Sequence, residues 1–268
     1  MNIKKHIPNA ITCGNLLCGC LAIVKAFEGD LVWAAYLVGI AAVLDFFDGF
    51  AARMLKVSSP IGKDLDSLAD MVTFGVVPGV VMYKLLQINE FTYENAIYSF
   101  SFIKGIEYLA FIIPIFSAIR LAKFNNDIRQ SDSFIGVPTP ANAILIASLA
   151  LIILTYVKKQ FSNLYSQTRE NFIDVVVPGE LVDRMFFIHC VLLLTTLVFS
   201  FLLIAELPLF ALKFKHFKWK GNEIRFVFLG LSLVMLITLQ FIGIPLIIIM
   251  YILLSVINNI ITRKRAVS

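Results

Sequence analysis

Charge is scarce in this sequence. Asp, Glu, Lys and Arg together make up 15% of its 268 residues, against roughly 25% in a soluble domain. Hydrophobic residues account for 59%, which excludes an ordinary soluble globule and points to a membrane protein. Histidine is scarcer still: His6, His189 and His216 are scattered and fit no ligand set. The four cysteines are Cys13, Cys18, Cys20 and Cys190. Cys18 and Cys20 are two apart and point to different helix faces, which excludes a thiolate pair at useful metal spacing. Together with Gly14 and Gly19, Cys13 and Cys20 are expected to serve as small residues in close helix contact within lipid. A small-residue cleavage site is also missing, because Glu28, Gly29 and Asp30 follow the first apolar segment. No cleavable signal peptide is therefore expected.

Apolar stretches of spanning length recur from end to end. Eight are expected to cross the bilayer: 10–27, 31–55, 61–86, 106–124, 141–157, 186–210, 226–241 and 244–261. The fifth and seventh are short, and the last two could form a re-entrant hairpin instead. The expected fold is thus an all-α polytopic membrane protein of about eight transmembrane helices. If the N-terminus is cytoplasmic, 16 basic residues fall on the cytoplasmic side and 7 on the other, accounting for all 23. Both termini are then inside. The net charge of +5 has the same origin. Residues 213–220 place four lysines beside Phe214, Phe217 and Trp219, as in an anchor on anionic lipid. That patch is short and flanked by spans, so nucleic acid is not an expected partner.

Against this apolar background stand four carboxylates. Asp45 and Asp48 are three apart, and Asp66 and Asp70 four apart, so each pair projects from one helix face. Between them lie Ser58, Ser59 and Pro60, turn residues of which Pro60 is suited to open the next helix. Two antiparallel helices joined there would bring both pairs into one pocket. Ionised carboxylates in such surroundings need compensating positive charge, and an all-oxygen donor set suits Mg²⁺ or Mn²⁺. Two such ions would clamp a pyrophosphate for in-line displacement. Gly49 and Gly62 leave room for a phosphate or nucleotide to approach the backbone, and Arg53 offers a planar fork to phosphate.

Written out, the segment is D-x2-D-G-x2-A-R-x8-G-x3-D-x3-D, with Ala52 the remaining fixed position. It resembles the signature of the CDP-alcohol phosphotransferase family at every fixed position. The resemblance implies transfer of a phosphatidyl or similar group from a CDP-activated donor to an alcohol, with release of CMP. It implies that Asp45, Asp48 and Asp66 are metal ligands, and that Asp70 is both a metal-site residue and the general base. Gly49, Ala52, Arg53 and Gly62 would line the CDP site. Residues 10–212 would form the family's six-helix core, preceded by a cytoplasmic or interfacial segment, 1–9. A basic cytoplasmic loop, 213–225, and two additional helices with a basic tail, 226–268, would follow. A homodimer is the family expectation, whereas it is the charge count that turns the Asp45–Asp70 pocket to the cytoplasmic side of the inner membrane.

Further residues bear on the acceptor. Pro8-Asn9-Ala10-Ile11-Thr12 precedes the first span, where Asn9 or Thr12 could cap the helix. Asn15 is a polar side chain inside an apolar helix, a position that tends to be functional. Arg120 and Lys123 lie three apart at a cytoplasmic helix end. Lys123 has an alternative explanation in positive-inside flanking, whereas the deeper guanidinium of Arg120 needs a carboxylate or phosphate partner. The stretches P-N-A-I-T-x2-N, R-L-A-K-F-N and G-V-P-T-P resemble the membrane-embedded phosphatidylserine synthases within the family. The donor would then be CDP-diacylglycerol, the acceptor L-serine and the setting membrane lipid, with Arg120, Asn15 and Lys123 as candidates for binding serine. The alternatives are a phosphatidylglycerophosphate or phosphatidylinositol synthase type of the same family. An ion-coupled transporter would not need the spaced Gly-Ala-Arg-Gly scaffold, and an inactive assembly protein would not need all four carboxylates.

Overall fold

The apolar runs fold as helices. A computed structural model describes residues 6–57, 59–94, 105–126, 133–168, 179–210, 219 and 222–267. Helix α1 (His6–Phe27) turns into α2 (Leu31–Leu55) at Asp30, whose Oδ1 accepts the Trp33 N–H at 3.1 Å and caps the new helix. A third rod comprises α3 (Pro60–Asp70), a π-helical turn (Met71–Val76) and α4 (Val77–Glu94). A 3₁₀ turn (Ile106–Phe111) leads into α5 (Ile112–Asn126). Helices α6 (Thr139–Thr168) and α7 (Gly179–Ile204) follow. A final pair, α8 (Glu223–Leu239) and α9 (Gly243–Val267), meets at a 3₁₀ turn (Gln240–Ile242). Among the described residues, six stretches are long and apolar enough to cross a membrane, with α8 and α9 together forming one of them. This is an integral membrane protein.

Several expectations needed revision. Helix α1 already runs from His6, so Asn9 and Thr12 lie inside it and cap nothing. Helix α6 continues to Thr168, well past the apolar run at 141–157, because the polar stretch that follows has no Gly or Pro to stop it. Cys13 and Cys20 are exposed and do not pack between helices. Close contact is made by glycine: a Cβ on Gly19 would sit 2.5 Å from Thr73 Oγ1 and 3.1 Å from its Cα. Apart from Trp219, the basic stretch 213–220 lies outside the described residues. The sequence also gave no sign of a two-stranded ribbon, in which β1 (Ser133–Ile135) pairs antiparallel with β2 (Pro208–Phe210). Three residues are too few to show an alternating pattern.

The core runs from α1 and α2 (Ala22, Leu31, Val38) through the π-helical turn and α4 to α5, α6 and α7, where Phe74, Met82, Leu85, Leu86, Ile113, Leu145, Ile146 and Leu192 are buried. Helix α1 buries Thr12, Asn15, Gly19, Ala22 and Ala26 at three- and four-residue steps, a small and polar stripe that meets α2 at Thr12 and the π-helical turn at Asn15 and Gly19. Outward-facing Leu17, Val24, Phe46, Leu194 and Phe201 are exposed, as lipid contact requires.

Candidate active site

The site is built at the turn between α2 and α3. Helix α2 stops at Lys56, which adopts the left-handed conformation (φ 52°) and donates its N–H back to the last turn. Ser59 then caps α3, its Oγ accepting from Gly62 N at 3.0 Å, with Pro60 in the first turn. The reversal brings both acidic faces together as expected. Carboxylate oxygens of Asp45, Asp48 and Asp66 lie within 4.8 Å of one another. Asp70, one turn beyond Asp66, meets the side chain of Asp45. Its Oδ1 is buried with no hydrogen-bond partner. The ion pairs Lys25–Glu28 and Arg184–Glu180 lie elsewhere, so among the described residues no basic side chain forms an ion pair with the aspartates. Such crowding of carboxylates calls for cations, and the all-oxygen donor set fits a hard divalent ion. Asp64, by contrast, is exposed and takes no part.

Asp48 is buried and held from α1: Thr12 Oγ1 donates to its Oδ2 at 2.7 Å. Thr12 was legible as a possible helix cap and as part of the P-N-A-I-T-x2-N stretch, but its carboxylate contact depends on the pairing of α1 with α2. Beside Asp48 and Asp66 opens a cavity of about 240 Å³ lined also by Gly49, Ala52, Gly62, Asn9, Ser59 and Lys63. Three of the four residues expected at a nucleotide site thus share one cavity. Arg53 is exposed and is not among its lining residues; its guanidinium folds back past Gly49, 3.6 Å from where a Cβ there would sit. A Cβ on Gly62 would stand 3.0 Å from Asn9 Oδ1 and Ser59 Oγ, so those side chains would have to give way to any larger residue there.

On the other side of Asp70 the π-helical turn receives α1, α5 and α6. Such turns shift the register of a helix and recur at functional sites. Gly75 and Gly79, one turn apart, bring α5 in: their Cβ positions would lie 3.2 Å from Ser117 Cβ and 2.8 Å from Pro114 Cδ. That approach carries Arg120 into the interior, 6% exposed and within electrostatic reach of Asp70. Its Nη1 donates to Thr139 Oγ1 at 3.5 Å, while its Nε has no partner. Asn142 lies one turn along α6 from Thr139 and is fully buried, with neither side-chain atom partnered. Asn15 and Ser117 are likewise fully buried with unpartnered side-chain atoms. Buried polar atoms left unpaired are costly, which makes these side chains candidates for contact with a ligand or with water. Of the acceptor candidates, Asn15 and Arg120 belong to the helices converging here, and Lys123 is exposed. Ser117 and Asn142 were not anticipated, and Thr139 was noted only within G-V-P-T-P, without a role. The signal available was a polar residue inside an apolar helix, the same one that marked Asn15.

Comparison with known proteins agrees with this arrangement. The family model described as CDP-alcohol phosphatidyltransferase matches residues 5–177. A CDP-diacylglycerol–serine O-phosphatidyltransferase of Bacillus subtilis (strain 168) is 38% identical over 151 residues, covering 56% of this chain and 76% of that protein. The protein of the same name from Helicobacter pylori (strain J99) is 38% identical over 147 residues, 54% of this chain and 57% of its own length. In Methanocaldococcus jannaschii the figures are 32% over 150 residues, 56% and 63%. The chain thus spans less than two thirds of the latter two relatives. All three matches cover little more than half of this chain, whereas the family match extends over both acidic pairs, the cavity beside them and the polar face around Arg120. This chain belongs to the CDP-alcohol phosphatidyltransferase family.

Proposed function

We propose that this protein is a CDP-diacylglycerol–serine O-phosphatidyltransferase, moving a phosphatidyl group from CDP-diacylglycerol to the hydroxyl of L-serine. The observation that carries this reading is the position of Asp70. It lies one turn beyond Asp66 at the end of α3, beside the cluster of Asp45, Asp48 and Asp66, and the buried guanidinium of Arg120 acts on it electrostatically. A base so placed stands between an activated phosphate and a carboxylate-bearing acceptor.

The cavity beside Asp48 receives the CDP moiety, with Gly49, Ala52 and Gly62 giving close backbone approach and Arg53 at its edge. Arg120 takes the serine carboxylate, and Asn15 and Asn142 offer amides to its remaining polar groups. Serine's hydroxyl is a weak nucleophile, so Asp70 removes its proton as the oxygen attacks the phosphorus bearing diacylglycerol. A new P–O bond forms, the P–O bond to CMP breaks, and CMP leaves with the electron pair. Asp45, Asp48, Asp66 and Asp70 would hold two Mg²⁺ or Mn²⁺ ions, whose positive charge offsets that of the pyrophosphate and the departing CMP. The balance of basic residues supports a cytoplasmic site in the inner membrane, with both termini inside. A homodimer is part of the same reading.

The test is CMP release from CDP-diacylglycerol by purified protein offered L-serine, glycerol 3-phosphate or inositol, with either metal. Release should depend on serine and stop on chelation. A preference for glycerol 3-phosphate or inositol would overturn serine as acceptor and leave the reaction class standing.

A further inference from the structure

Helices α8 and α9 lie beyond the family match and are sparsely buried, only 6% of their apolar window lying inside the protein. What α9 does grip is the ribbon. Tyr251 donates its hydroxyl to Phe210 O at 2.8 Å, and Asn259 donates its Nδ2 to Pro208 O at 2.6 Å. These two carbonyls lie on the outer edge of β2, because alternation along a strand turns Leu207 and Leu209 toward β1. Pro208, lacking an N–H, suits an outer edge. Tyr251, Ser255 and Asn259 follow one another at four-residue steps, so a single face of α9 seals the edge. The Tyr251 ring also packs against Phe210 and Phe228, at 4.9 and 5.5 Å between centroids.

The ribbon leads directly to the polar face around Arg120. Beyond β1, Gly136 N–H donates to Leu207 O and Val137 N–H to Leu202 O, each at 3.0 Å. Gly136 holds φ +75°, and a Cβ there would stand 2.5 Å from Leu203 O, so only glycine fits between the ribbon and the end of α7. Three residues after Gly136, Thr139 opens α6 and accepts from Arg120.

We propose that α9, through Tyr251 and Asn259, is a positioning element for the acceptor site, fixing the β1–β2 ribbon and thereby the start of α6 that seats Arg120. The proposal rests on the reading of Arg120 as the contact to the acceptor's carboxylate. Neither residue touches substrate. Their loss loosens the support of Thr139 and lets the guanidinium wander.

The test uses the full chain with Tyr251→Phe, which keeps the ring packing, and Asn259→Leu. Two readouts are needed. Hydrogen exchange at Gly136 and Val137 should accelerate in both variants while the amides of α1 and α2 stay as in the parent. The KM for serine should rise roughly three- to tenfold, the effect of one lost hydrogen bond, with the KM for CDP-diacylglycerol unchanged. Unchanged exchange at Gly136 and Val137 overturns the proposal, as does faster exchange without a rise in the serine KM. A fall in kcat and thermal midpoint with no separation of the two KM values also overturns it, leaving α9 a stability element. Arg120→Lys, measured alongside, keeps the two readings apart. If it leaves the serine KM unchanged, the underlying reading of Arg120 fails; if it raises that KM and Tyr251→Phe does not, only the role of α9 fails.

Discussion

Thr12 and Asp48 are 36 residues apart in sequence, yet the hydroxyl of one donates to Oδ2 of the other at 2.7 Å. The bond ties α1 to the acidic face of α2 and fixes which way one carboxylate of the cluster points. A second carboxylate lone pair remains available to a cation. Groups that orient a metal ligand in this way typically change metal affinity about 10- to 100-fold when removed.

Thr12→Val should therefore raise the Mg²⁺ or Mn²⁺ concentration needed for half-maximal CMP release by about tenfold. Thr12→Ser, which keeps the hydroxyl, should stay close to the parent. Equal metal requirements in parent and Thr12→Val would remove Thr12 from the site.

Asp45→Asn, Asp48→Asn and Asp66→Asn should each abolish most turnover, because an amide does not offset divalent charge. Asp64→Asn is the control. Its side chain is exposed and outside the cluster, and its rate should remain near that of the parent. A near-parent rate in any of the first three would strike that residue from the ligand set.

For Asp70 the separation of binding from chemistry is decisive. As the base, Asp70→Asn should lose turnover and still bind CDP-diacylglycerol in the presence of metal, measured by equilibrium binding. Parallel loss of both would reduce its role to metal binding or structure.

Much of this arrangement was legible in the sequence, for physical reasons that differ by element. Asp45, Asp48, Asp66 and Asp70 stand out because charge in an apolar run is costly, and the Ser59–Pro60 turn is local chemistry that the structure reproduces. Apolar runs marked the helices because composition and length suffice for that. Against the eight expected spans, six stretches among the described residues are long and apolar enough to cross, 106–124 not being one of them and the last two runs forming one. Contacts between distant segments were another matter. Nothing local to Thr12 announces Asp48, and nothing in 133–135 or 208–210 announces a ribbon. Arg120 was readable as a buried charge, whereas its neighbours Ser117, Thr139 and Asn142 depend on how α5 and α6 dock. One unread clue was available: Gly75 and Gly79, spaced for close helix contact, foretold which face would receive α5.

Gly79→Ala tests that docking. The new methyl would stand 2.8 Å from Pro114 Cδ, part of a rigid ring that cannot swing aside. Overpacking of this kind costs about 1–3 kcal/mol, so the thermal midpoint of the purified protein should fall. Because α5 carries Arg120, the serine KM should rise as well, while the KM for CDP-diacylglycerol, proposed to bind beside Asp48, should stay unchanged. An unchanged midpoint would show that α5 is not held through Gly79.

Arg120→Lys is the sharpest test of the acceptor. A guanidinium grips a carboxylate through two parallel N–H bonds, a geometry that an ammonium cannot reproduce. Arg120 is buried, its Nε is unpartnered, and its one bond, to Thr139, is long at 3.5 Å, so its remaining donors have capacity for a ligand. Substitution by lysine keeps the charge near Asp70 and removes the fork. The KM for serine should rise by roughly tenfold or more, in line with charge-assisted bonds worth about 1.5–3 kcal/mol, and the KM for CDP-diacylglycerol should change much less. A rise in the donor KM instead would make Arg120 a phosphate or headgroup contact. The serine carboxylate would then have to be met by another group on the polar face.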